Sequence, residues 1–473
     1  MNAFLHDDVL LSGDVARSLY HGVAAATPIV DVHNHLSPAD IAGNRVWETL
    51  TDLWLEDDHY KWKAMRLAGF DEALITGDAD PWDRFAAWAA TVPRTIRNPL
   101  YMWTHLELRR VFGIDLPLNP STAREIWDEA NRQLPQWSAQ RLLAHFRVRA
   151  VATTDDPGDD LVHHARHDAS NTATELLPTF RPDAAHLRLI DPPGWNDWAD
   201  RLGTSAGVAV TDCDSLLSAL TVSYARFTSL GCRASDHGLP TLPDRPRDAG
   251  LADQAVRKAR SGVVPDADER ACLLLEVVGL AARLAFADES VFQLHLGPLR
   301  NASPRLLASV GRDVGADVMN DERHAAGLAR LLGDLEAASM LPRAVLYNLN
   351  PADNALFATM AGAFSRAGVA SLVQWGPPWW FNDHEEGMRR QLDDLSQIGQ
   401  LSGFIGMLTD SRSILSMTRH ELFRRILCDA IGRDVEAGRI PNDPELLSAT
   451  VHDICIGNAV RYFGFPTEWA SPA

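Results

Sequence analysis

Eight short apolar runs punctuate the chain: Ile29–His33, Val148–Thr153, Leu187–Ile190, Gly231–Ser235, Val291–His295, Ala344–Asn348, Ser371–Trp375 and Phe404–Thr409. Most are apolar throughout rather than alternating, which predicts strands covered on both faces. Most of the intervening stretches carry helical spacing, as in Ala271–Leu284 and Pro351–Phe364. Strands alternating with helices predict βα units and a parallel sheet, and eight such units favour a closed α/β barrel over an open doubly wound sheet. The expected fold is a distorted TIM-like (β/α)8 barrel. No Gly-x-Gly-x-x-Gly follows the first run, so no nucleotide cofactor is expected.

The alternation breaks once. Residues 37–147 contain no convincing barrel strand, are rich in tryptophan (Trp47, Trp54, Trp62, Trp82, Trp88, Trp103) and have helical spacing. This predicts a large helical insertion after the first strand. The expected organisation is residues 1–36 as an N-terminal segment with the first strand, 37–147 as an inserted helical subdomain roofing the site, and 148–473 as the remaining barrel with C-terminal helices. Leu239–Ala267, dense in Pro, Asp and Arg, reads as an exposed excursion after the fourth strand.

Composition narrows the partners. At 473 residues, with 46% hydrophobic and 23% charged positions, the chain suits a barrel enlarged by an insertion. Lys and Arg total 44 against 63 Asp and Glu, a net charge of −19, which argues against nucleic acid or an anionic membrane surface. A small anionic substrate would then need a local basic pocket. The five cysteines form no Cys-x-x-Cys pair and read as free thiols in a reducing compartment. Asp7, Asp8 and Asp14 crowd the N-terminal stretch where a secretory signal would be basic and then apolar. No apolar run approaches the ~20 residues of a membrane span. A soluble cytoplasmic protein is expected, and a homo-oligomer is compatible with this composition.

If the eight strands close, the first and last become neighbours at the carboxyl-end rim, where barrels keep their chemistry. His33 and His35 end the first run at strand spacing, so both imidazoles can face one side. Asp410 ends the eighth run, and Arg412 two positions on projects into the same cavity if the extended geometry persists, where it could depress the aspartate pKa or contact a substrate oxygen. Two imidazoles and a carboxylate suit one divalent ion, zinc or manganese. The structural alternatives are rim histidines bonded to loop backbone and a helix-capping role for Thr409-Asp-Ser-Arg-Ser. His295 ends the fifth run as a candidate orienter, ligand or acid–base group, and Arg300 on the same loop is a candidate anion clamp. Arg181 and Asp183 precede the third run, and Asp236 and His237 follow the fourth. His59 and Tyr60 in the insertion form a pair able to move protons. Trp379 and Trp380 follow the seventh run and offer flat faces to a sugar ring.

Taken together, His33-Asn-His-Leu-Ser-Pro, His59-Tyr-Lys-Trp-Lys, Arg181-Pro-Asp, His295–Asn301, Trp379-Trp-Phe-Asn-Asp and Leu408-Thr-Asp-Ser-Arg-Ser resemble the uronate (glucuronate) isomerase family of the amidohydrolase superfamily, from about residue 20 to 460. The resemblance implies one divalent ion, usually zinc, on His33, His35 and Asp410. It also implies that His59, Tyr60, His295, Arg300, Arg181, Asp236 and Arg412 surround a sugar-acid substrate. The implied reaction interconverts D-glucuronate with D-fructuronate and D-galacturonate with D-tagaturonate. Two other readings stay open: a metal-dependent hydrolase of the same superfamily and a non-catalytic sugar-acid binder. Gly231–Gly238 contains no lysine of the kind that bridges two ions in many such hydrolases, which favours a single-metal site.

Overall fold

The computed structural model describes residues 4–168 and 172–471. Seven parallel strands form one curled sheet in sequential order: β1 (Ile29–Asp31), β2 (Val148–Asp155), β3 (Glu175–Phe180), β4 (Ala234–Leu239), β5 (Val291–Leu296), β6 (Arg343–Asn348) and β7 (Val373–Trp375). β1, β4, β5 and β7 are buried at every position, as sandwiching between a packed bore and outer helices requires.

Two of the expected runs form no ladder strand. Leu187–Ile190 lies in two short helical turns, Ala184–Leu187 and Arg188–Ile190, with Leu187 and Ile190 exposed. The third strand is instead Glu175–Phe180, whose Pro178 is an uncommon residue inside a sheet because it cannot donate to the ladder. Consistent with this, β3 meets β4 at a single pair, Phe180 with Ser235. Phe404–Thr409 is extended and buried but forms no ladder. The Thr409 amide donates to the Asp31 side chain at 2.8 Å rather than to a strand carbonyl. Gly406 at φ +78 and Asp410 at φ +45 bend the segment, and at Gly406 a Cβ would strike the Ile454 carbonyl. Asp410 N donates to His33 O at 3.1 Å and His35 N to Ser411 O at 2.9 Å, so this segment seals the sheet beside β1. The result is a distorted TIM-like barrel with an irregular closing stave.

Between β1 and β2 the chain forms helices from Pro38–Ala42 through Ala139–His145. Trp54, Trp88 and Trp103 are almost fully buried there, in an apolar core continuous with the barrel interior. A second core joins Phe180 of β3 to Trp195, Trp198, Leu216, Phe227 and Val256 of the outer helices. Part of Leu239–Ala267 belongs to it: Ala249–Arg260 is a helix that buries Ala252, Ala255, Val256 and Ala259, so this stretch is a packed element rather than an exposed excursion. Among the described residues no helix is long and apolar enough to cross a membrane.

Candidate active site

β1 ends two residues before His33, and the chain stays extended enough to bring both histidines to the rim. His33 Nε2 lies 3.1 Å and His35 Nε2 3.0 Å from the same oxygen, Asp410 Oδ1. The second carboxylate oxygen accepts the Trp379 indole N–H at 2.6 Å. Burial opposes ionisation of Asp410, but the hydrogen bonds from His33 and His35 outweigh it and hold the carboxyl well below its usual range. Burial drives His35 down to about 4, leaving a neutral imidazole. His33 moves up, because Asp236 and Asp410 outweigh its burial. A neutral imidazole and an ionised carboxylate are the forms that bind metal, and the three side chains converge closely enough to share one ion. His33 Nδ1 is buried without a hydrogen-bond partner, 3.9 Å from Asp236 Oδ2, a pair poised to orient the ring from behind. The donor set therefore fits a divalent ion.

β4 starts three residues later than the sequence pattern suggested, so Asp236 and His237 lie inside the strand and point to opposite faces. Asp236 faces the bore, where Oδ1 receives His295 Nδ1 at 2.7 Å and Oδ2 lies 3.2 Å from Arg181 Nη1. Although burial opposes it, the contacts with His295 and Arg181 keep Asp236 ionised. His295 stacks flat on Tyr347, centroids 4.0 Å apart, and burial lowers its pKa. Its Nε2 is buried and unpartnered. His237 faces outward to Asp183 at 2.9 Å.

Arg181 follows β3 directly, at the carboxyl end, and Asp183 fixes it through Nε at 3.0 Å. Arg300 is fixed through Nη1 by Asp317 at 3.0 Å. Their free Nη2 ends meet over Gly238, where a Cβ would collide with Arg181 and lie 3.7 Å from Arg300. The glycine thus opens a seat with two guanidinium edges, suited to a carboxylate.

His59 and Tyr60 start the helix His59–Leu67, whose N-terminus is capped by Asp58 through the Tyr60 and Lys61 amides. Their rings lie 4.6 Å apart, and His59 meets Trp380 edge-on at 5.7 Å. Burial and Arg412 lower His59 to about 4. Burial raises Tyr60 well above 10, so it is a neutral phenol.

Several expected arrangements change. Arg412 makes no ion pair with Asp410; its Nη1 reaches the Asp313 carbonyl at 3.4 Å, because the left-handed backbone at Asp410 breaks the extended geometry. The guanidinium over the Tyr60 ring belongs to Arg419, 5.2 Å away and 3.8 Å above Trp103, with Asp383 at 3.1 Å. Burial lifts Asp383 to about 6 despite that partner. The tryptophans do not present two free sugar platforms: Trp379 is buried against His295 and Asp410, and Trp380 stacks on Phe381 beneath Arg300. Arg419 and Tyr347 carry no local motif in the sequence, whereas Asp383 closes the Trp379-Trp-Phe-Asn-Asp motif; the only signal for Arg419 is a charged Arg419-His420-Glu421 stretch in the first turn of the helix Thr418–Glu436 that follows Asp410.

A parallel barrel whose rim joins an imidazole–carboxylate cluster to a two-arginine anion seat is built as an enzyme for a small anionic substrate. The glucuronate isomerase family model matches residues 1–463, and the chain belongs to that family. It is 47% identical over 471 residues to a uronate isomerase of Vibrio vulnificus, covering 98% of this chain and 99% of that one. It is 45% identical to a uronate isomerase of Solibacter usitatus, at 98% and 99% coverage. The fold superimposes on a uronate isomerase from Thermotoga maritima with TM-score 0.92 and 34% identity, covering 98% and 100% of the two chains. The glucuronate isomerase of Caulobacter crescentus gives TM-score 0.88 at 26% identity and 99% coverage of each.

Proposed function

We propose that this chain isomerises uronic acids between aldose and ketose, D-glucuronate with D-fructuronate and D-galacturonate with D-tagaturonate, by proton transfer through an enediolate. Supporting this reading above all is the placement of an ionised Asp410 and a neutral Tyr60 on a rim that also carries the two-arginine seat over Gly238. Arg181 and Arg300 bind the substrate carboxylate there. Asp236, pinned between His295 and Arg181, keeps that guanidinium in register.

The opened aldose loses its C2 proton to Asp410, and the C2–H electron pair becomes the C1=C2 bond of the enediol while charge builds on the C1 oxygen. Tyr60, kept a phenol by burial, donates to that oxygen. The proton on Asp410 then returns to C1 as the C2 hydroxyl gives its own to the Tyr60 phenolate, so no oxidant or reductant is needed. His59 beside Tyr60 and His295 beside Asp410 are the neutral bases that redistribute protons. Arg412 offers positive charge on the His59 side. Stabilising the enediolate is the largest demand of this chemistry. A divalent ion on His33, His35 and Asp410, zinc or manganese, would supply charge stabilisation and hold adjacent hydroxyls. Residues 37–147 act as the roofing unit, delivering His59 and Tyr60 from above. The five free cysteines support a reducing, cytoplasmic setting.

The test is to incubate metal-loaded protein with D-glucuronate or D-galacturonate in deuterated water and follow the sugar by proton NMR. Ketouronate carrying solvent deuterium at C1 is the expected result. No conversion of either sugar, with metal confirmed bound, would overturn the assignment.

A further inference from the structure

Outside the barrel, the helices Ala267–Ala287 and Ala325–Ala337 pack together beside a cavity of about 50 Å3. Arg245, Arg247, Arg283 and Arg330 line it, over an apolar floor that includes Leu275 and Leu331. Two of these arginines are neutralised: Arg245 by Asp268 at 2.7 Å and Arg330 by Asp244 at 2.8 Å. The other two are not. Arg247 has only Glu276, at 3.8 Å, and Arg283 makes no ion pair among the described residues. Asp334, also in the wall, is exposed and pairs with none of them.

The two under-neutralised guanidiniums converge on one spot. A Cβ at Gly279 would lie 3.2 Å from Arg283 Nη1 and 3.7 Å from Arg247 Nη1. Gly279 sits inside a 21-residue helix, where glycine is a poor choice on propensity grounds, and its missing side chain is what leaves the space. Burial and the Arg247 charge disfavour the Arg283 cation, and Glu276, which also stands 3.8 Å from Arg247, offsets them only in part. Two like charges brought together in a half-buried recess repel unless an anion lies between them.

We propose that this recess is an oxyanion site, in which Arg247 and Arg283 grip a phosphate-type dianion over Gly279. Guanidinium edges match the spacing of phosphate oxygens and bind them in pairs. At about 50 Å3 the recess exceeds the space that a single water needs. The bound species is either free phosphate or the phosphoryl group of a metabolite. The site is separate from the rim arginines and does not depend on the isomerase reading.

The test is thermal melting of the full chain against inorganic phosphate, with chloride at matched ionic strength as control and D-glucuronate present to occupy the rim. The native protein should gain Tm with phosphate and not with chloride. Arg283→Gln should weaken the apparent phosphate affinity by roughly tenfold or more. Gly279→Ala should raise Tm without phosphate, through better helix propensity, and yet lose the phosphate-dependent gain. Both variants should keep native kcat and KM when phosphate is absent. Displacement of inorganic phosphate by a phosphomonoester would assign the site to a metabolite, and failure to displace it would assign the site to the free ion. A phosphate response of native size in both variants, or none in the native protein beyond the chloride control, would overturn the proposal.

Discussion

The Trp379 indole donates to Asp410 Oδ2 at 2.6 Å while Oδ1 of the same carboxylate faces both His33 and His35. With both oxygens engaged, the carboxylate cannot rotate, and its Oδ1 lone pairs stay aimed at the imidazoles. Trp379→Phe keeps an aromatic ring against His295 but releases Oδ2. Outer partners of metal ligands typically contribute ~10–100-fold in affinity or activity. A loss of that size in metal affinity, with kcat falling in parallel, is expected from metal titration and initial rates. Native affinity in the variant would mean that Asp410 holds its orientation without the indole.

His33→Ala and Asp410→Asn each remove one member of the converging set. Metal content and isomerase activity should vanish together in either variant, read by elemental analysis of the dialysed protein and by ketouronate formation. The fold should persist, because neither residue anchors the apolar core. Full activity in either variant would refute the ligand assignment.

Tyr60 belongs to none of the converging ligand side chains and starts a separate capped helix. Tyr60→Phe should therefore lower kcat while sparing metal content, by a factor in the ~10²–10⁴ range of general acid–base catalysis. Arg419→Gln is a harsher change. It strips the cation from the faces of Tyr60 and Trp103 and leaves Asp383 buried without its partner. Breaking a buried pair in this way costs ~3–5 kcal/mol, so the urea midpoint should drop along with the rate. If Tyr60→Phe lost metal, the tyrosine would be structural and not catalytic.

The parts of this fold that could be read from the chain were those set by local pattern. Strands buried on both faces appear as apolar runs, so β1, β2, β5, β6 and β7 were recognisable, and residues closing such runs, His33, His295 and Asp410, sit at the rim for the same reason. β3 was hidden by Pro178, which breaks the strand signal although the thin β3–β4 pairing accommodates it. Sequence proximity also misdirected the arginines. Arg412, two positions from Asp410, would share its face only in an extended chain, and φ +45 at Asp410 turns it away. Arg419, in the first turn of the next helix, reaches Tyr60 and Trp103 because tertiary packing folds the insertion over that turn. No periodicity encodes a contact among residues 60, 103, 383 and 419.

At the carboxyl end of β2, Asp155 and His164 lie 3.6 Å apart and share the Thr153 hydroxyl, which is 2.9 Å from each. Burial pushes Asp155 up to about 7 and His164 down to about 4. Between those values the folded pair holds one proton, on the carboxyl. The unfolded pair also holds one proton over most of that window, on the histidine, because the ordinary values are 3.8 and 6.5. Equal proton counts mean that the native pair contributes almost no pH dependence to stability there. Each single variant should expose a slope of opposite sign. In His164→Gln only the raised Asp155 remains: its contribution is fully present below about pH 4 and is lost as pH rises towards 7. In Asp155→Asn only the lowered His164 remains: its contribution is present above about pH 6.5 and is lost as pH falls towards 4. Either slope can reach about 1.4 kcal/mol per pH unit. Urea midpoints of the three proteins from pH 4.5 to 6.5 would reveal the divergence, and parallel curves would show that the pair is ionised in the fold.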